Sequence, residues 1–163
     1  MPAGIAHSSE RGNGEHRWLR ELIAKIARLT IELQELAARI GLLTDPAEND
    51  VAEAYDRVSQ LFALIVQEVI PGRVKLSQLA SASSLPDLNE ALESLQQSGQ
   101  NALIAIDVYT KTLKNEQRQR ARERRSNRRY ADDQQSLQRL RYQATVEVKE
   151  LIEASEGFVH VLS

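Results

Sequence analysis

The sequence contains no cysteine, which excludes disulfide bonds, thiol catalysis and thiolate metal sites. This absence leaves the redox compartment open. Glycine and proline are also scarce, with seven and four copies in 163 residues. Because so few residues interrupt the chain, we expect long regular elements, which are helices rather than the many short strands of a β fold.

Aromatic residues make up only 4% of the chain, so the core must be built from Leu, Ile, Val and Ala, as in helical bundles. Long hydrophobic runs are missing as well. The longest run, residues 61–66, has six residues, whereas a membrane-spanning helix needs about 20. Residues 1–15 show neither an apolar signal core nor a basic transit pattern. We therefore expect a cytoplasmic protein with no membrane contact, in which residues 1–15 form a flexible tail.

A heptad repeat dominates the first part of the chain and predicts a helix over residues 16–43. Leu and Ile recur there with alternating spacings of three and four residues up to Leu43. Additional apolar residues such as Ile23 and Ala27 widen the stripe, so this helix should contact two or more neighbours. The repeat also supplies candidate interface residues: Leu19, Leu22, Ile26, Leu29, Leu33, Leu36 and Ile40.

Three more amphipathic segments follow, and their boundaries are predicted from helix-capping and helix-breaking residues. Asp45 and Pro46 start the second helix and Pro71 ends it; Pro86 lies in the first turn of the third, and Gly157 ends the fourth. The predicted elements are helices over 46–70, 86–113 and 136–156, with a connector over 73–84. The sequence therefore predicts an all-α fold, an up-and-down four-helix bundle with long heptad-patterned helices across residues 16–163.

Residues 114–135 differ from the rest because they contain no Leu, Ile, Val, Met, Phe or Trp. Residues 111–129 carry nine bases and two acids, whereas residues 42–100 carry nine acids and three bases. Such a concentration of cations would lose solvation without enough partners if it were packed into a core. We therefore predict that helices three and four extend past the bundle as a basic helical hairpin arm.

On a helix that turns by about 100° per residue, six of these bases fall within an arc of about 80°. Arginine dominates the segment, and its planar guanidinium binds phosphate bidentately. No helix-turn-helix, zinc-finger or RNA-recognition signature is present. The candidate nucleic-acid-binding residues are Lys111, Lys114, Arg118, Arg122, Arg125 and Arg129.

The preferred functional hypothesis is a non-enzymatic helical assembly subunit whose arginine-rich arm contacts the nucleic-acid backbone. The alternative is a coiled-coil scaffold or adaptor that mediates protein–protein assembly without nucleic acid. In that case the arm meets an acidic protein surface, such as residues 45–56 of a neighbouring copy. A homo- or hetero-oligomer is expected in either case. A third interpretation is an arm that is simply solvated.

Catalytic and metal-binding patterns are missing, so we expect no enzyme activity, no cofactor and no metal. We expect no two of the three histidines, His7, His16 and His160, to share a helix, and no Glu-x-x-His motif occurs. We expect His160 to pack within an apolar tail over residues 158–163. Trp18 is expected to anchor the core or an interface.

Overall fold

The computed structural model describes the backbone of residues 2–42, 48–79, 85–122 and 127–163. Side chains are described for residues 14–39, 49–79, 86–119 and 134–163. Every regular element in these ranges is helical and none is a strand, so the predicted all-α class is confirmed. The α-helices are α1 (Pro2–Leu42), α2 (Glu48–Leu64), α3 (Arg73–Leu79), α4 (Leu85–Arg122) and α5 (Asn127–Leu162).

The first helix, α1, and the last helix, α5, are longer than predicted. α1 begins at Pro2 instead of residue 16, so residues 2–15, expected as a tail, belong to the helix. Proline suits a first helical position, and no later proline interrupts the segment. α5 passes through Gly157, where we had placed its end, and continues because Phe158 and Leu162 are buried in the core. That burial offsets the cost of about 1 kcal/mol for glycine inside a helix.

The end of the second helix also differs from the prediction. One π-helical turn, Ile65–Val69, follows α2, and the Ile70 N–H donates to the Ile65 carbonyl at 2.9 Å. Pro71 lacks an N–H and cannot continue the pattern. The chain resumes helical structure at once as α3, so most of the predicted connector over residues 73–84 is a helix.

α4 begins one residue before its predicted start and runs without interruption to Arg122, so the predicted helix over 86–113 and the first part of the 114–135 arm form one helix. Gly99 lies in its middle and faces α2. A Cβ atom at this position would stand 3.0 Å from Phe62 Cδ2 and 3.3 Å from Ile65 Cδ1. The glycine therefore allows α4 to approach α2 closely. The predicted capping role of Asp45 lies outside the described residues.

The four long helices enclose one hydrophobic core. α4 packs most extensively against α5 and also contacts α2, while α1 packs against both α2 and α5. Ala37, Ala54, Ile106, Ala144 and Val148 meet around one small cavity, so these positions of the four helices lie at the same level. The largest fully buried side chains include Phe158, Leu22, Ile26, Leu33, Leu61, Ile65, Leu76, Leu88, Leu95, Ile106 and Leu151.

Trp18 is half-buried at the end of the molecule where α2 gives way to α3. Its ring lies against Gly72, and the Lys75 Nζ is 4.5 Å from the ring centroid. This contact combines a tight fit with a cation–π interaction. Within the chain, Trp18 therefore holds α1 to the start of α3.

Candidate nucleic-acid interface

The last described turns of α4 and the first described turns of α5 run on past the helical ends of α1 and α2. From the shared level at Ile106, α4 continues for 16 residues to Arg122, about 24 Å. From Ala37 at the same level, α1 has only five residues left before it ends at Leu42, about 8 Å. The final turns of α4 therefore lie about 16 Å beyond the last helical residue of α1.

Three of the predicted binding residues have described side chains, and all three are exposed on α4: Lys111, Lys114 and Arg118. The Lys111 Nζ lies 2.9 Å from the Asp107 Oδ2, one helical turn earlier. The hydrogen bond from Lys111 to Asp107, followed by the charge of this carboxylate, raises the pKa of Lys111. Since lysine is already protonated at neutral pH, the shift leaves its positive charge unchanged there.

Lys114 and Arg118 form no ion pair with an acid among residues 14–39, 49–79, 86–119 and 134–163. The charges of these two predicted binding residues therefore face solvent and are not neutralised by any described acid. The backbones of Arg122 and Arg129 belong to α4 and α5, but their side chains lie outside the described set. Arg125 lies outside the described residues altogether. The complete six-residue face therefore stays a prediction.

Two features of this end of the molecule were missed. Arg139, an exposed base on α5, adds a cation close to the level of Val108. It lies beyond the run of bases that defined the prediction, and only the antiparallel pairing of the helices brings it near. The second feature corrects the expectation that nothing in residues 114–135 packs. Glu116 is only 8% exposed, so the buried face of α4 reaches at least one turn past Leu113.

Six of the heptad residues of α1 that were proposed as an intermolecular interface lie in the core of the chain and not on its surface. Leu19, Leu22, Ile26, Leu29, Leu33 and Leu36 are all buried in the core of a single chain, with exposures of 7, 1, 0, 5, 0 and 4%. α2 and α5 cover this side of α1. The side chain of Ile40 lies outside the described residues. The seam formed by these six residues is therefore buried within one chain, and the intermolecular role predicted for it stays a prediction.

Histidine and carboxylate positions provide no metal site among the described side chains. No group of three or more His, Cys, Asp or Glu residues in this part of the chain has a suitable arrangement. The expectation that no two histidines share a helix is wrong, because α1 begins at Pro2 and includes both His7 and His16; the side chain of His16 is exposed. The expectation that His160 packs in an apolar tail is wrong: it is exposed on α5, because the helix continues and turns this position away from Phe158.

Among the described residues, no helix combines the length and apolar character needed to cross a bilayer. The chain matches no protein-family model, no curated protein and no solved structure.

Proposed function

We propose that this protein is a non-enzymatic assembly subunit that contacts the phosphate backbone of a nucleic acid through the basic end of α4 and α5. The observation that carries the proposal is the exposure of Lys114 and Arg118, which have no acidic partner among the described residues. Solvent-directed cations on a projecting helix attract polyanions without a preformed pocket.

The proposed architecture is an up-and-down four-helix bundle of α1, α2, α4 and α5. Lys25 in the middle of α1 pairs with Glu68 of the π-helical turn that follows α2, whereas Arg39 near the end of α1 pairs with Asp50 near the start of α2, which agrees with antiparallel packing. The last turns of α4 and the first turns of α5 form the basic hairpin arm of this proposal. In the bundle, the apolar seam of α1 serves the core and leaves the arm as the surface for a ligand.

The physical mechanism is charge neutralisation with release of counterions. Phosphate contacts position a protein on nucleic acid but carry no sequence information, so this surface should bind with little sequence preference. If the six predicted bases each neutralise one phosphate of a DNA duplex, the logarithm of the binding constant should fall with the logarithm of salt concentration with a slope of about −5. Affinity should then drop about a thousandfold between roughly 50 and 200 mM salt.

The test is fluorescence anisotropy with labelled DNA and RNA duplexes over a range of salt concentrations, using protein freed of co-purified nucleic acid. The test variant replaces Lys114, Arg118 and Arg139 by Gln, which removes three charges. If each contacts a phosphate on the DNA duplex, the salt slope should become shallower by about three.

The matched control removes the same number of exposed charges from α1, by replacing Arg17, Arg20 and Arg28 with Gln. Its salt slope should stay close to that of the wild type. Equal effects of the two triple variants would show that binding follows net charge and not this surface. Absence of binding to DNA and RNA by the wild type, even at low salt, would refute the proposal.

A further inference from the structure

Acidic and basic residues are concentrated in different parts of the α4–α5 pair. Residues 85–107 and 147–163 carry eight acids and one lysine, whereas residues 108–146 carry eleven bases and four acids. The two helices are antiparallel, since one groove is lined by Glu90 and Glu153 and another by Val108 and Leu140. The acidic segments therefore lie together at one end of the pair, and the basic segments lie together at the other.

The change of sign coincides with exposed apolar side chains. Ile104, Val108 and Tyr142 are 55, 42 and 72% exposed. Ile104 and Val108 line an open groove of about 380 Å³ whose opposite wall includes Leu140 of α5. Exposed aliphatic residues at the centre of a face with charged ends resemble the apolar core and polar rim of a protein interface.

The acidic, apolar and basic parts lie on the same side of α4. With a rotation of about 100° per residue, they fall within an arc of about 80°. We define the outer face of α4 by these residues, all of which are exposed: Glu90, Glu93, Ile104, Val108, Lys111 and Arg118. On α5, Glu150 and Glu153 lie towards the acidic end and Arg139 lies towards the basic end.

The spacing on the outer face is symmetric about Ile104. Glu90 lies 14 residues before it and Arg118 lies 14 residues after it, so each is about 21 Å away along the helix. A two-fold rotation that reverses the direction of α4 therefore exchanges the positions of these opposite charges. On α5, Arg139 and Glu150 lie on opposite sides of the level of Ile104, which is marked by Gln143 and Glu147 in the shared groove.

We propose that a second copy of this chain docks antiparallel on this surface, with α4 against α4, α5 against α5 and the two-fold axis near Ile104. Glu90 of each copy then faces Arg118 of the other, and the apolar centre is covered. Such a self-complementary, isologous contact is the commonest arrangement in homodimers.

The dimensions of the surface fit a stable dimer. The distance between Glu90 and Arg118 along α4 is about 42 Å. Two packed helices with an interaxial distance of 8–10 Å form a layer roughly 19 Å wide. The product is a footprint of about 800 Å² for each copy, which is comparable in size with the surface that each partner buries in a standard specific interface.

The distribution of ion pairs inside the chain supports a second copy as the occupant. α1 and α2 neutralise several of their charges against each other, as in Arg57–Glu32 and Arg39–Asp50. In contrast, no ion pair within the described side chains neutralises Glu90, Glu93 or Arg118 on the outer face. The face thus carries acids and bases that have no ion-pair partner among the described side chains and that are complementary to each other after the two-fold rotation.

A charge-swap experiment tests the contact. Sedimentation velocity of nucleic-acid-free protein at low salt should give twice the 18.3 kDa mass of one chain. In Glu90→Arg, two attractive pairs become two repulsive ones, and we expect the dimer Kd to rise by about tenfold or more. Arg118→Glu should have the same effect. The double variant carries both changes in both copies and should restore the Kd of the wild type.

A monomeric wild type at roughly 100 μM and low salt would refute the dimer, since a standard interface gives tighter binding. Two weakened single variants without recovery in the double variant would refute the proposed pairing. Because this assay uses protein without nucleic acid, its failure would leave the proposed phosphate contact untouched.

A second pair of variants tests the apolar centre. Ile104→Glu places a carboxylate at the two-fold axis opposite its symmetry mate and should raise the dimer Kd at least about a hundredfold. Ile31→Glu is the matched control, because Ile31 is an equally exposed isoleucine, 56% against 55%, on α1. Its Kd should be unchanged. Circular dichroism should show native helicity for both variants, and an unchanged Kd for Ile104→Glu would contradict the proposal.

Discussion

Leu33 provides the sharpest test of whether the heptad seam of α1 serves one chain or two. Its side chain is fully buried, whereas Ile31, two residues earlier on the same helix, is 56% exposed. Replacing a buried leucine by alanine removes the Cγ and both Cδ atoms of the side chain and leaves a cavity, with a typical cost of about 3 kcal/mol. Ile31→Ala should change the free energy of unfolding by less than about 0.5 kcal/mol.

The assay is urea denaturation followed by circular dichroism, in about 1 M salt so that the charged contacts of the proposed dimer are screened. Leu33→Ala should lower the free energy of unfolding by about 3 kcal/mol, which corresponds to about 10 °C in Tm for a chain of this size. The loss should be independent of protein concentration, because the contacts lie within one chain. A loss that depends on concentration, together with a fall in mass, would place the seam between copies and refute this reasoning.

Two further predictions concern the contact of Trp18 with Gly72 and the ion pair between Asp107 and Lys111 within α4. Gly72→Ala should destabilise the protein by about 1–3 kcal/mol and alter Trp18 fluorescence, because the new Cβ would stand 2.7 Å from Trp18 Cη2. The control is Gly157→Ala, which should stabilise α5 slightly, because its new Cβ would have no atom within 4 Å. Asp107→Asn should lower the pKa of Lys111, measured by NMR titration of the Nζ. Because folding raises this pKa, the stabilisation it reflects is present below the ordinary lysine pKa and is lost as pH rises through the raised value.

The sequence predicted the buried seam of α1 because Leu and Ile recur there with a helical period, and periodicity reports directly which face of a helix is apolar. It predicted helix ends less well. Gly157 is a weak helix breaker whose effect is outweighed by Phe158, and the depth at which a distant core buries Phe158 is not encoded locally. The π-helical turn at Ile65–Val69 has the same origin, since tertiary packing and not propensity decides how a helix adjusts before Pro71.

The candidate surface was predictable in composition but not in extent. The run of bases after Lys111 is visible in the sequence. The contribution of Arg139 and the position of Glu153 beside Glu90 depend on the antiparallel pairing of α4 with α5, which brings Glu90 and Glu153 together although they are 63 positions apart. Counting charges along the sequence therefore finds the cations, but it does not show that acids and bases occupy opposite ends of one surface.

That polarity links the two proposals through the same side chains. In the antiparallel dimer, Arg118 faces the Glu90 of the second copy, whereas in a phosphate complex the same guanidinium faces a nucleic acid. One guanidinium fork cannot make both sets of bidentate hydrogen bonds at once, so the two ligands should compete for Arg118. Competition between binding equilibria is reciprocal: a polyanion that displaces the second copy is itself weakened by dimerisation to the same degree. The acids of the outer face would then act as an intrinsic competitor of phosphate for the same arginine.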